Sequence, residues 1–365
     1  MTDLGLLWAI QLSPLAAFLM IQLLPKGLKK TAPIIGIGLA LAAGLASLKL
    51  LSLHADGSGM PKEYLRSWLE VWPDRFLSVG FLVDRLNLLM VSVVTVITFF
   101  VQLFSFYYMA EDGSRSRYFG FLSFFSFAMT GLVLSNNLLQ TFLFWELVGL
   151  TSYLLIGFWY QKPAAATAAR KAFVINRLAD LGFYLGILLL LIQFGTVDFL
   201  KLDPGALAQA LPAGTLTALG LLIFMGVMGK SAQFPFHVWL PDAMEGPTPV
   251  SALIHSATMV AAGVFLLARA FGLFASSELT LLVILVIGSL TALTGAALAT
   301  TQRDIKRILA YSTVSQLGLM VMAIGAGSAV AGMFHLTAHA FFKSLLFLTS
   351  AAFIHRFHTK DILEI

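Results

Sequence analysis

Apolar residues run along this chain in blocks of about 20, separated by short polar stretches, and the blocks lack the period-two alternation of strands. About 20 apolar residues is the length at which a helix crosses a bilayer. The pattern predicts about eleven membrane helices, at roughly 4–24, 32–53, 79–108, 117–134, 137–159, 165–192, 215–233, 243–272, 279–300, 305–326 and 329–354. The polar interval from His54 to Val79 holds Trp68, Trp72 and Pro73, and predicts an extramembrane excursion near 54–79, with a hairpin as one form for it. Thr196 to Ala213 predicts a short surface helix. The first block begins almost at Met1, with no basic segment before it and no clear cleavage site, so a retained helix is expected and not a signal peptide.

Composition agrees with a polytopic membrane protein. Apolar residues make up 59% of the chain, charged residues 11%, and the mean hydropathy is +0.89, where soluble domains carry roughly 25% charged residues. There is no cysteine, so no disulfide, thiolate metal site or iron–sulfur cluster is possible within this chain. The net charge of +5 does not point to nucleic acid; in membrane proteins an excess of Lys and Arg marks the cytoplasmic loops. One set of alternate loops holds Lys26, Lys29, Lys30, Arg115, Arg117, Lys162, Arg170, Lys171, Arg303, Lys306, Arg307, Arg356 and Lys360. The other set holds Lys62, Arg66, Arg75 and Lys201. This asymmetry predicts an N-terminus outside and, after an odd number of spans, a C-terminus inside.

Ionisable residues left at membrane depth are Lys49, Asp84, Arg85, Glu146, Arg177, Asp180, Lys230, His255, Arg269, His335, His339 and Lys343. Each costs about 2.5 kcal/mol or more at a helix centre, so the set reads as an ion or proton path. Glu146 stands mid-span in "LFWELVGLTSYLLIGFW", either as a neutral carboxyl joining two helices or as a proton-bearing group. Lys230 ends an apolar run; buried alone it would give up its proton, and a carboxylate such as Glu146 would restore it. Arg177 and Asp180, three apart, have the spacing of an ion pair on one helix. His335, His339 and Lys343 in "HLTAHAFFKSLLF" follow i, i+4, i+8 spacing along one helical stripe. That stripe suits a water-linked proton relay, with a structural polar seam as the alternative. A metal site is less favoured, since no Asp, Glu or Cys converges in that segment. Asp84, Arg85, Lys49 and Arg269 lie nearer helix ends and read as mostly structural.

In "KSAQFPFHVWLPDAMEGPTPVSALIHSATMV" the prolines Pro241, Pro247 and Pro249 remove amide donors. They mark either a helix broken at membrane depth or a loop at the cytoplasmic interface. In both cases Asp242 and Glu245 sit near a proton mouth, and His255 lies one or two turns deeper.

The strings "FWELVGLTSYLLIGFW", "KSAQFPFHVWLPDAMEGPTPVSALIHSATMVAAG" and "HAFFKSLLFL", with "KAFVINRLADLGF", closely resemble the antiporter-like large subunits of respiratory complex I. The nearest type is NuoL, the L chain of bacterial NADH-quinone oxidoreductase. The large subunit of Mrp sodium/proton antiporters is similar. The resemblance implies an all-α polytopic protein with an antiporter-like inverted-repeat fold and a broken helix. On that reading residues 1–108 are N-terminal helices, 109–272 the first five-helix repeat and 273–365 an incomplete second repeat. It implies that Glu146 pairs with Lys230, that His255 is the relay residue of the broken helix, that Asp180 is the sixth-helix acid, and that His335, His339 and Lys343 form the central hydrophilic axis. It implies no catalytic, cofactor or metal residue in this chain; NAD, flavin, iron–sulfur and quinone sites are expected in partner subunits. Expected partners are other membrane subunits, antiporter-like paralogues among them, lipid, and protons or sodium. The expected place is a bacterial or organellar energy-transducing inner membrane. The family's twelfth-helix lysine and lateral helix have no counterpart here, so a fragment, a split product or a non-conducting truncated paralogue is expected.

Overall fold

The computed structural model describes residues 2–57, 59–72 and 75–365. Pro73, singled out in the excursion, lies outside the described residues. By its contacts the chain forms two compact units, Met1–Phe158 and Trp159–Ile365. Eleven helices, counting a broken one once, are long and apolar enough among the described residues to cross a membrane.

The first unit comprises α1 (Asp3–Leu23), α2 (Ala32–Leu53), strands β1 (Lys62–Trp72) and β2 (Arg75–Val83), α3 (Arg85–Tyr108), α4 (Arg115–Leu134) and α5 (Leu138–Ile156). Helix α1 packs on α2 and α4, α3 on α2 and α4, and α4 on α5. Side chains of Thr2, Asp84 and Asn137 cap the first turns of α1, α3 and α5 by accepting from Gly5, Asn87 and Gln140 amides. The excursion is an antiparallel hairpin, with Lys62 opposite Val83 and Leu65 opposite Gly80. Its second strand takes the first residues of the apolar run expected to start a helix at 79. Hydropathy does not distinguish Val79–Val83 from the helix after it; the cap at Asp84 does.

Side-chain amides dock the hairpin. Gln140 Nε2 donates to Gly80 O at 3.0 Å and its Oε1 accepts from Gly80 N at 2.9 Å. Asn137 Nδ2 donates to Ser78 O at 2.7 Å. These bonds satisfy an edge that would otherwise present bare backbone groups. At the start of α1, Asp3 accepts from Lys62 Nζ at 3.2 Å and Tyr64 OH at 3.3 Å, and its Oδ2 lies 3.0 Å from His54 Nε2. Partial burial and the Asp3 carboxylate raise the Tyr64 phenol above its ordinary range.

The second unit comprises α6 (Pro163–Phe194), α7 (Pro204–Ala210), α8 (Ala213–Lys230), α9 (Thr248–Ser256), α10 (Met259–Arg269), α11 (Phe271–Ala275), α12 (Glu278–Ala299), α13 (Ile305–Gly325) and α14 (Ala329–Phe357). The short surface helix is α7. The most apolar 18-residue stretch of the α9–α10 segment is wholly buried. Helices α8 and α14 pack against it. The outer helices turn Leu282, Leu293, Val330 and Phe334 outward, as a bilayer requires.

The residues read as mostly structural have the following surroundings. Asp84 caps α3, Arg85 Nη2 donates to Asp56 O at 2.9 Å, Lys49 is exposed, and Arg269 lies over the rings of Phe265 and Phe199.

Candidate functional site

Helices α6 and α8 approach closely because glycines line both sides of their contact. A Cβ on Gly182 would lie 2.7 Å from Met225 Cβ, and one on Gly226 would lie 2.7 Å from Phe183 Cβ. Larger residues would hold the helices apart, out of reach for a side chain as short as Asp. At the end of this contact Lys230 Nζ donates to Asp180 Oδ2 at 3.2 Å. The two side chains are 1% and 3% exposed. An ion pair so buried is held by mutual attraction against a large desolvation cost.

The lysine ends α8, and the chain beyond it is irregular but stitched. Trp239 Nε1 donates to Gly229 O at 3.0 Å, Gln233 Nε2 to Ser231 O at 2.7 Å, and Ser231 Oγ to Val260 O at 2.7 Å. The last bond ties the end of α8 to the start of α10. Pro247 and Pro249 stand at the beginning of α9, where a missing amide costs no helical bond. The helix breaks at Ala257–Thr258 instead, where there is no proline. Thr258 Oγ1 donates to Leu253 O at 2.6 Å and supplies a carbonyl there with a donor.

His255 lies one turn before that break and is fully buried. Its ring centroid is 5.2 Å from that of Phe347 on α14. The cationic or titratable groups acting on it are Lys343, Lys306 and His339. On α14, Lys343 and His339 are fully buried and His335 is partly buried. Helix α13 meets this stripe with two polar residues one turn apart. Lys343 Nζ donates to Ser312 Oγ at 2.9 Å, and His335 Nε2 lies 2.7 Å from Gln316 Oε1. The main chain of Ser256, beside the break, faces the His339 ring. No ring nitrogen of His255 or His339 makes a well-formed hydrogen bond with a described residue. Buried nitrogens of this kind suit water.

Three participants escaped the sequence reading. Lys306, counted with the loop cations although the expected span begins at 305, lies in the first turn of α13 and is 3% exposed. Its ammonium donates to the carbonyls of Met244 and Gly246, in the loop that leads into α9. A cation in the first turn of a helix opposes the macrodipole, and that was the available signal. Ser312 and Gln316 are the other two; their i, i+4 spacing in an apolar span was the signal.

Within the second unit the acid at Lys230 is Asp180, which the sequence reading names as a site residue on its own. Glu146 lies partly buried in the middle of α5, within the first unit. At the mouth of the second unit, Lys171 Nζ donates to Asp242 Oδ2 at 2.6 Å. His237, outside the spans, is held below its ordinary pKa by burial and by the Lys171 ammonium.

Comparisons with known proteins place these residues in context. A family model described as NADH:quinone oxidoreductase/Mrp antiporter, TM, matches residues 135–365. Another, NADH-Ubiquinone oxidoreductase (complex I), chain 5 N-terminus, matches residues 68–119. NAD(P)H-quinone oxidoreductase chain 5 of Synechocystis is 52% identical over 76% of this chain and 42% of its own length. The chloroplastic subunit 5 of Brachypodium distachyon is 46% identical over 95% of this chain and 48% of its own. The chain thus spans under half the length of these relatives. Among solved structures, one titled as the Mrp complex of Dietzia has a chain 32% identical, with TM-score 0.82 over 96% of this chain and 38% of that one. A chain of an archaeal membrane-bound sulfane sulfur reductase, 21% identical, shares the fold, with TM-score 0.85 over 100% of this chain and 74% of that one.

Proposed function

The chain belongs to the NADH:quinone oxidoreductase/Mrp antiporter membrane family, and on that premise we propose that it is a membrane subunit of a proton-pumping NAD(P)H-quinone oxidoreductase, of the NuoL type. Relatives named as subunit 5 of that enzyme, at 46–52% identity, support this assignment. Electron transfer then occurs in partner subunits, and this chain moves protons. Cyanobacterial and chloroplastic relatives favour an energy-transducing membrane. The N-terminus lies outside and the C-terminus inside.

The observation that carries the reading is the Lys230–Asp180 pair, buried beside a broken helix. A buried ammonium next to a carboxylate keeps its proton; moved away from the carboxylate, it is driven to release it. The proton passes from the Lys230 nitrogen to water, and Lys230 takes up another proton when the pair re-forms. His255, His339, His335 and Lys343 continue the route, with water between the rings. Glu146 serves a corresponding step in the first unit. The test is quinone-dependent NAD(P)H oxidation together with proton uptake in sealed vesicles. Lys230→Ala is expected to abolish most uptake while the complex still assembles. Normal uptake per electron would remove Lys230 from the route.

The Dietzia neighbour favours a second reading, a subunit of an Mrp-type sodium/proton antiporter. Sodium-dependent proton flux without any electron donor would support it.

A further inference from the structure

Within the first unit, a partly open groove of about 680 Å³ lies between α1, the hairpin, α4 and α5. Its floor along α1 is the stripe Leu4, Trp8, Leu12 and Leu15. From Leu4 to Leu15 a helix rises about 16 Å, close to half of the roughly 30 Å hydrocarbon core. Starting at the first turn of α1, the groove is thus about as long as one leaflet is deep. Phe127 and Phe144 form its deeper wall, with ring centroids 5.7 Å apart in an edge contact.

The polar residues in the wall are already engaged. Gln11 donates to Phe127 O at 3.3 Å and accepts from Thr130 Oγ1 at 3.0 Å. Both ends of the Gln140 amide are bonded to Gly80. Little is left to hold water, and a cavity of this size stays wet only where polar partners are available. An apolar occupant of one-leaflet length fits better. At the mouth the lining changes character: Tyr64 and the exposed Arg66 come from the hairpin, which stands outside the spans. Aromatic and cationic side chains at this level suit lipid headgroups.

We propose that this groove is a specific site for an anionic glycerophospholipid of the leaflet on the N-terminal side. One acyl chain lies along Leu4–Leu15, and the phosphate sits at the Arg66 guanidinium. Such a lipid would hold the hairpin onto α1 and fix the outer end of the first unit.

The probe is phosphatidylglycerol with a mid-chain diazirine, in vesicles otherwise of phosphatidylcholine, with the chain isolated in its own membrane assembly. After photolysis, cross-links are expected to concentrate on peptides covering 4–15 and 127–144, and to fall on addition of unlabelled phosphatidylglycerol. Filling the groove with Leu12→Trp and Leu15→Phe should cut that labelling about fivefold or more. Arg66→Gln should leave labelling but remove the preference for phosphatidylglycerol over phosphatidylcholine as competitor. Labelling spread evenly over the groove and the outward face of α12 at Leu282 and Leu293 would overturn the site. So would labelling that survives the filled groove, or wild-type labelling that phosphatidylcholine displaces equally well. The competition in wild type decides the matter even if the filled variant fails to fold.

Discussion

Lys230 and Lys306 are both almost fully buried, at 1% and 3% exposure, yet their surroundings assign them opposite work. Lys230 faces a carboxylate, a partner that carries charge and can be moved or protonated. Lys306 donates to the main-chain oxygens of Met244 and Gly246, which carry no proton and cannot change charge, while the Asp304 and Glu245 carboxylates act on it through space without a hydrogen bond to its ammonium. The first arrangement suits a switch. The second is a clamp on the loop that leads into the broken helix. Burial alone does not identify a proton carrier; the chemistry of the partner does.

The sharpest way to break this comparison is to remove each ammonium. Lys230→Ala is expected to lower coupled proton uptake about tenfold or more with the complex still assembled. Lys230→Arg should also impair uptake, because a guanidinium almost never releases its proton. Lys306→Ala should instead act on stability, since its two carbonyls lose a buried donor at about 1–3 kcal/mol each. Thermal unfolding and hydrogen exchange over residues 240–256 would register it. If Lys306→Ala abolishes uptake while stability and exchange are unchanged, the clamp assignment fails.

A second test replaces the pair as a unit. Asp180→Ala leaves a buried lysine without this carboxylate and should destabilise by about 3–5 kcal/mol. Adding Lys230→Met should recover much of that stability but none of the proton uptake. Recovery of uptake in the double variant would show that the pair is structural only.

On α14 the expected order of lost coupling is Lys343→Ala, then His339→Ala, then His355→Ala. Lys343 and His339 are fully buried, whereas His355 is exposed in the last turn of α14. Equal effects at His355 and His339 would remove the relay.

His237 gives a smaller effect with a defined sign. Its folded pKa lies below the unfolded value of about 6.5. The unfolded state therefore binds more protons between the two values, and stability falls as pH drops through 6.5 toward the folded pKa. Exchange protection over residues 233–247 should weaken in that window, and His237→Gln should flatten the dependence. Protection that is flat with pH in the unmodified chain would show that His237 does not report on the connector. For orientation, single cysteines at Ser67 and Glu111 should label from opposite faces with an impermeant reagent; labelling from one face would refute the alternation of loops.

The membrane spans were legible because hydropathy is local. The expected starts at 32, 305 and 329 coincide with those of α2, α13 and α14. The stripe of His335, His339 and Lys343 was legible because helical spacing is local too. The helix break was not. Prolines drew attention to 247 and 249, but a proline at a helix start costs nothing. The break falls at Ala257–Thr258, and the helix that resumes after it is tied to Ser231, 29 positions away from the carbonyl that it meets.

The sequence by itself determined that the chain is a bundle of membrane helices with cationic and titratable groups buried among them, since each span meets the bilayer on its own terms. Only the tertiary structure brought Asp180 to Lys230. Asp180 is 50 residues distant, and it reaches the lysine because glycines let α6 and α8 come close. It also decided that Lys306 is a clamp, through carbonyls 62 and 60 residues away. A hydrogen bond depends on where two backbones come to rest, and no window of sequence contains both.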